Sequence, residues 1–184
     1  MSYCAAVRAG GLHAVHTAYH DQQYGFPLSS DDGLLERLVL EINQAGLSWE
    51  TILKKQAAFR LAYAGFEVGR VAAFGEADVA RLLADAGIIR NRLKVAAAVE
   101  NAGRVLALQR EFGSFAGWLD YHHPLSREEW TRLFKKTFRF TGGEIVNEFL
   151  LSAGYLPGAH DEDCPVGRRV RGLGPAYLRV GSGR

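Results

Sequence analysis

The feature that most restricts this chain is a run of apolar residues at helical spacing, Leu34, Leu35, Leu38, Val39 and Ile42, preceded by Ser29 and Ser30 and broken at Gln44-Ala45-Gly46-Leu47. Residues three and four apart share one face of a helix, so this stripe specifies an amphipathic helix that must bury that face. The pattern recurs along the sequence. Ser48 can cap a helix carrying Trp49, Ile52, Leu53, Phe59 and Leu61, with Glu50 in the first turn, where the helix dipole favours an anion. Similar spacing predicts a short helix over 68–74, longer ones over 76–85 and 91–112, and a helical turn or two over 115–121. Ser126 and Glu129 form a capping box before Trp130, Leu133 and Phe134, and a last helix over 143–153 should stop at Gly154. No stretch sustains the alternation of a strand, so the predicted fold class is all-α.

Residues 1–28 show no clean period and read as an irregular segment, with ordered structure beginning after Pro27. The 184 residues, 48% of them hydrophobic, suffice for one helical domain over 1–165, with room for two lobes. The composition then shifts: Arg168, Arg169, Arg171, Arg179 and Arg184 lie among glycines, as expected of a loosely packed tail over 166–184 that is either solvated or in contact with phosphate. A net charge of +2 does not by itself point to a nucleic-acid partner, so any basic surface must be local. Two cysteines near opposite ends are too few for a disulfide framework, and no apolar run is long enough to span a bilayer. A cytoplasmic monomer is the expectation.

Local positive charge gathers around a tight turn, Asp85-Ala86-Gly87-Ile88-Ile89-Arg90-Asn91-Arg92-Leu93-Lys94, between two predicted helices. Gly87 could supply a left-handed helix cap, and amides at the start of the next helix favour an anion such as phosphate. Both an ordinary helical hairpin and a DNA-backbone contact satisfy this pattern.

Glu41 lies on the apolar stripe, seven residues after Leu34 and three after Leu38. A buried carboxylate needs a cation, donors or a lined cavity. With Tyr19, Tyr24 and Trp49 nearby in sequence, it either completes an aromatic pocket suited to a flat cationic purine or sits at a solvated edge of the core.

His160 and Cys164 form an H-x3-C pair between Pro157-Gly158 and Pro165, hence in a loop. Together with Cys4 and an N-terminal histidine (His13, His16 or His20) they offer a Cys2His2 set suited to tetrahedral zinc, although Asp161, Glu162 and Asp163 are rival ligands.

In order and spacing these blocks resemble the 3-methyladenine DNA glycosylase I family: Cys4, Ala18-Tyr19-His20-Asp21 with Gly25 and Pro27, Glu41 with Gln44-Ala45-Gly46-Leu47-Ser48-Trp49, Asp85 to Lys94, Phe138-Arg139-Phe140, and His160-x3-Cys164. The resemblance implies a helix-hairpin-helix DNA glycosylase fold and one structural zinc held by Cys4, His20, His160 and Cys164. It implies a base pocket of Tyr19, Tyr24, Glu41 and Trp49, in which Glu41 is the carboxylate on which catalysis depends, through base recognition rather than as a general base. It further implies DNA contacts by Leu47, Gly87, Ile88, Arg90, Arg92 and Lys94, and a double-stranded DNA substrate bearing an alkylated base. The expected reaction is monofunctional hydrolysis of the N-glycosidic bond of 3-methyladenine after base flipping. Ala6, Gln23, Tyr24 and Ile42, with Gly143, Glu144, Asn147 and Glu148, depart from the family pattern. These departures leave open a different alkylated purine as substrate, or a lesion-binding protein without turnover.

Overall fold

The structure, a computed structural model, describes residues 1–179, and all regular structure among them is helical. At its centre is α3 (Asp31–Gln44), capped by Ser30, whose Oγ accepts from the amide of Gly33 at 3.0 Å. The two aspartates of its first turn reach outward to neighbouring helix starts. Asp31 accepts from the amide of Phe115 at 2.9 Å at the head of α8 (Phe115–His122), and Asp32 accepts from Val68 at 3.0 Å at the head of α5 (Val68–Ala72). An anion at each helix start complements the local dipole, so one short acidic sequence fixes three helices in relation to one another.

Nearly every residue of α3 from Leu34 to Asn43 is buried. Packed on it are α4 (Trp49–Ala62), α7 (Arg92–Phe112) and α10 (Gly143–Ser152), with α6 (Glu76–Ala84) against α7 and α9 (Arg127–Thr137) against α10. Phe115, Trp118, Trp130, Phe134, Phe138 and Phe149 form the aromatic half of the core, each contributing about 2–3 kcal/mol of transfer free energy. The capping box at Ser126 and Glu129 forms as the sequence predicts, with amide-to-side-chain bonds of 2.8 and 3.2 Å. The helix α10 gives way to Gly154 at φ +78°.

Two regions differ from the sequence expectation. Residues 1–28 are not irregular: they form α1 (Tyr3–Arg8), capped by Ser2, and α2 (Ala14–Gln22), capped by the ring of His13. The buried face of α2 consists of His16, Tyr19 and His20, which have helical spacing without aliphatic character, so a search for apolar periodicity passes over it. The described part of the tail, 166–179, is not loose either. Pro165–Gly172 form α11, with Gly167 and Val170 buried, and a 3-10 turn at Ala176–Leu178 buries Ala176. Arg169 lies over the ring of Phe26 at 5.0 Å, and its guanidinium donates to the carbonyl of Asp21. Arg184 lies outside the described residues.

Candidate active site

A cavity of about 530 Å³ opens where α1, α2, the start of α4 and α10 meet the last turns of α3. Glu41 is at its base, 4% exposed. Burial is the main reason its carboxyl is pushed up to about 8; the Glu148 charge adds to the rise and Arg37 opposes it. Tyr19 and Trp49 form the wall beside it, their rings 5.2 Å apart at 71°, and Tyr24 follows at 5.6 Å from Tyr19. Arg37 backs this wall, its guanidinium 5.3 Å from the Tyr19 ring centre and its Nη1 donating to the carbonyl of Ser152 at 3.2 Å. All four residues expected in the pocket therefore meet in one place.

The wall opposite was not legible as such. Tyr3 and Ala6 of α1 line it, and Tyr3 packs edge-on against Tyr24 at 5.5 Å. His16, also lining the cavity, meets the Tyr3 hydroxyl through Nδ1 at 3.1 Å and Glu50 through Nε2 at 3.6 Å. Glu148 of α10 faces the same space.

Leu47 stands beside the cavity on the α3–α4 loop, 39% exposed, after Gly46 at φ +81°, a backbone conformation that suits glycine. Gln44 joins the two features. It lines the cavity, its carbonyl accepts from the amide of Leu47 at 2.8 Å, and its side chain donates to the carbonyl of Leu47 at 3.4 Å.

The turn between α6 and α7 is built differently from the expectation. Gly87 has no positive φ; Asp85 caps α6 and accepts from the amide of Gly87 at 2.7 Å. Glycine is favoured there by space, because a Cβ would come within 2.9 Å of the Asp85 carboxylate and 3.1 Å of the Ala58 Cβ, displacing the carboxylate that holds the turn. Lys55 pins the turn from α4, donating to the carbonyls of Ala86 and Gly87 at 2.9 and 3.2 Å. Ile88 is 3% exposed, so it anchors the turn and leaves only its backbone for a partner. Arg90 and Arg92 face solvent. Lys94, grouped with them in the sequence as a DNA contact, points inward: it is 5% exposed, and its Nζ donates to the carbonyls of Asn43 and Ala45 at 2.8 and 2.6 Å. It holds the loop of Leu47 instead of facing a phosphate.

At the far side of α2, Cys4, His20, His160 and Cys164 bring their ligand atoms within 4.8 Å of one another. The four cysteine-to-histidine separations are 3.2, 3.5, 3.7 and 3.8 Å. A tetrahedral zinc with ordinary Zn–S and Zn–N bonds requires about 3.6 Å along such an edge. The outer ring atoms are already engaged, His20 Nδ1 with Asp21 at 2.6 Å and His160 Nε2 with the carbonyl of Tyr24 at 2.7 Å, which is how metal-binding imidazoles are oriented. The donor set and its spacing fit a metal ion. Among the three N-terminal histidines the structure brings His20 to the cluster, while His13 caps α2 and His16 lines the cavity.

Residues 10–127 match the family model of the methyladenine glycosylases. The chain belongs to the methyladenine glycosylase family. It is 35% identical over 161 residues to DNA-3-methyladenine glycosylase 1 of Escherichia coli, covering 77% of this chain and 86% of the relative. The DNA-3-methyladenine glycosylase of Haemophilus influenzae is 31% identical over 84% of this chain and 94% of its own length. Among solved structures, a Glu-to-Gln variant of 3-methyladenine DNA glycosylase I from Staphylococcus aureus superposes with a TM-score of 0.80 at 31% identity, over 90% of this chain and 97% of that one. A structure of the same Staphylococcus aureus enzyme describing 3-methyladenine recognition gives 0.78 at 32% identity, over 86% and 94%. This methyladenine glycosylase thus shares the all-helical architecture of those enzymes, and no helix among its described residues is long and apolar enough to cross a membrane.

Proposed function

We propose that this methyladenine glycosylase hydrolyses the N-glycosidic bond of 3-methyladenine in double-stranded DNA, acting on a nucleotide turned out of the helix and leaving the strand intact. The observation that carries the reading is a carboxylate, Glu41, sealed beneath the Tyr19 and Trp49 rings in a cavity adjoining an exposed leucine. Alkylation at a ring nitrogen makes the purine cationic, and departure from the sugar neutralises it, so the leaving group needs little further activation. The protein's task is to extract and hold the base. Leu47 enters the gap left in the stack, Tyr19, Tyr24 and Trp49 enclose the rings, and Glu41 reads the polar edge. Water attacks the sugar carbon, with no separate general base assigned.

Phosphate contacts come from the turn at Gly87 and Ile88 through the backbone and from Arg90 and Arg92 through their side chains, which position the duplex without reading its sequence. Cys4, His20, His160 and Cys164 would hold one structural zinc ion. When bound, the ion supplies a fourfold crosslink between the N-terminal helices and the loop after α10. A single helical domain over 1–165, braced by α11, carries the reaction.

The decisive test compares Glu41→Gln with the wild type on methylated DNA. Release of 3-methyladenine should fall at least a hundredfold, or about 2.7 kcal/mol of barrier, while affinity for the DNA changes far less. Equal loss of both would reject the role given to Glu41. Binding without release by the wild type would make the protein a lesion sensor, and chromatography of the released bases would reveal another purine as substrate.

A further inference from the structure

The cavity contains two carboxylates with unlike surroundings. Glu148 Oε2 accepts from the hydroxyl of Tyr24 at 3.4 Å, and Oε1 accepts from the Asn147 amide at 3.3 Å. Glu41 accepts no hydrogen bond from the described residues and is only 4% exposed, at the base of the cavity. Its neighbour Arg37 directs Nη1 at the Tyr19 hydroxyl and the Ser152 carbonyl. When two carboxylates share a poorly solvated space, the charge settles on the one with donors and access to water. Glu148 meets both conditions, whereas Glu41 has no donor and little exposure. From outside, Arg127 favours the Glu148 charge and Glu144 opposes it, and because Arg127 pairs with Glu144 at 2.6 Å the two largely offset each other at Glu148. Burial raises the Glu148 carboxyl, and the Asn147 and Tyr24 donors oppose that rise, whereas Glu41 is left at about 8.

We propose that Glu148 is a specificity-determining residue of the base cavity, supplying the anion that distinguishes a cationic, ring-alkylated purine from an uncharged one, with Tyr24 holding that carboxylate against the cavity wall. The assignment rests on the glycosylase reading and adds a division of labour to it. Glu41 recognises the polar edge of the base, which substrate and product share. Glu148 recognises charge, which the substrate carries and the released base lacks, so its attraction assists capture and does not retain the product. Glu148 and Tyr24 are both positions where the chain departs from the family pattern, and here they form one pair.

The test is a binding ratio. Wild type and Glu148→Gln are titrated calorimetrically near pH 7, where Glu41 keeps its proton, with 3,9-dimethyladeninium, a permanently cationic mimic of the alkylated nucleoside, and with free 3-methyladenine, which is largely uncharged there. The wild type should prefer the cation by about tenfold or more, and Glu148→Gln should remove most of that preference. Glu148→Asp, which keeps the charge, should retain it to within about threefold. If Glu148→Gln does not fold, Glu148→Ser decides by the same ratio. A preference that survives neutralisation of Glu148, or equal weakening of both ligands, overturns the assignment. Base release from methylated DNA is scored in parallel. An intact, Glu148-dependent preference without release by the wild type rejects the glycosylase reading alone, and release with a ratio indifferent to Glu148 rejects only the present assignment.

Discussion

The amino group of Lys94 lies 2.6 Å from the carbonyl oxygen of Ala45, so the first turn of α7 carries the loop that presents Leu47. Together with its bond to Asn43, this makes a buried cation the support of an exposed apolar residue. Lys94→Met should leave two carbonyls without their donor and destabilise the fold by about 2–3 kcal/mol, measured by urea denaturation. Base release from DNA should fall while affinity for free 3-methyladenine is largely kept. A drop in free-base affinity as large as the drop in release would show that Lys94 acts on the cavity and not on the loop.

The hairpin arginines should behave as phosphate contacts. Each of Arg90→Ala and Arg92→Ala should reduce the dependence of log K on log salt by about one, with little effect on binding of the free base. A salt slope that does not move in the double variant removes them from the interface.

Glu41 makes stability depend on pH in a direction opposite to that of a salt-bridged acid. Its folded carboxyl titrates at about 8, above the ordinary carboxylate range in which the unfolded chain releases the same proton. Between those values the folded state binds more protons, so this contribution is complete at low pH and is lost as pH rises through about 8. Denaturation of wild type and Glu41→Gln across this range isolates the effect. Their difference should steepen to at most about 1.4 kcal/mol per pH unit, with the variant the more stable of the two above pH 8. Parallel curves would mean that the carboxyl is not desolvated.

Elemental analysis should find about one zinc per chain, and Cys164→Ser should bring this close to zero. Because four ligands from both ends of the sequence converge on one point, loss of the ion should cost at least about 3 kcal/mol. Removal by a chelator should also slow base release, since His160 holds the carbonyl of Tyr24 at the cavity wall. A metal-free protein with unchanged melting temperature and rate would refute the metal assignment.

Much of the fold could be read from the sequence because its helices announce themselves through aliphatic stripes and side-chain caps: Ser48 and Ser126 cap where expected, and of the Ser29-Ser30 pair it is Ser30 that caps. The N-terminal helices were hidden because their buried faces consist of rings and a thiol, which serve the cavity and the metal cluster rather than an oily core. Charge alone did not separate Lys94 from Arg90 and Arg92, since only tertiary contact reveals which of three nearby cations turns inward. Glu148 was visible as an odd residue, but its partner Tyr24 is 124 positions away, beyond the reach of any local pattern. The aromatic and carboxylate residues meet in one cavity because Tyr19, Glu41 and Trp49 sit on the ends of α2, α3 and α4 that converge.

The helix that bears Tyr3 and Ala6 is held in place by residues from the opposite end of the chain: Ser2 donates to Asp161 at 2.5 Å, and Arg8 pairs with Asp163 at 2.9 Å. A ribosome delivering this polypeptide finishes one side of the cavity only after residue 163 has emerged. Nascent chains short of that point lack the contacts that hold α1, so the wall formed by Tyr3 and Ala6 cannot be fixed until residues 161–163 are present.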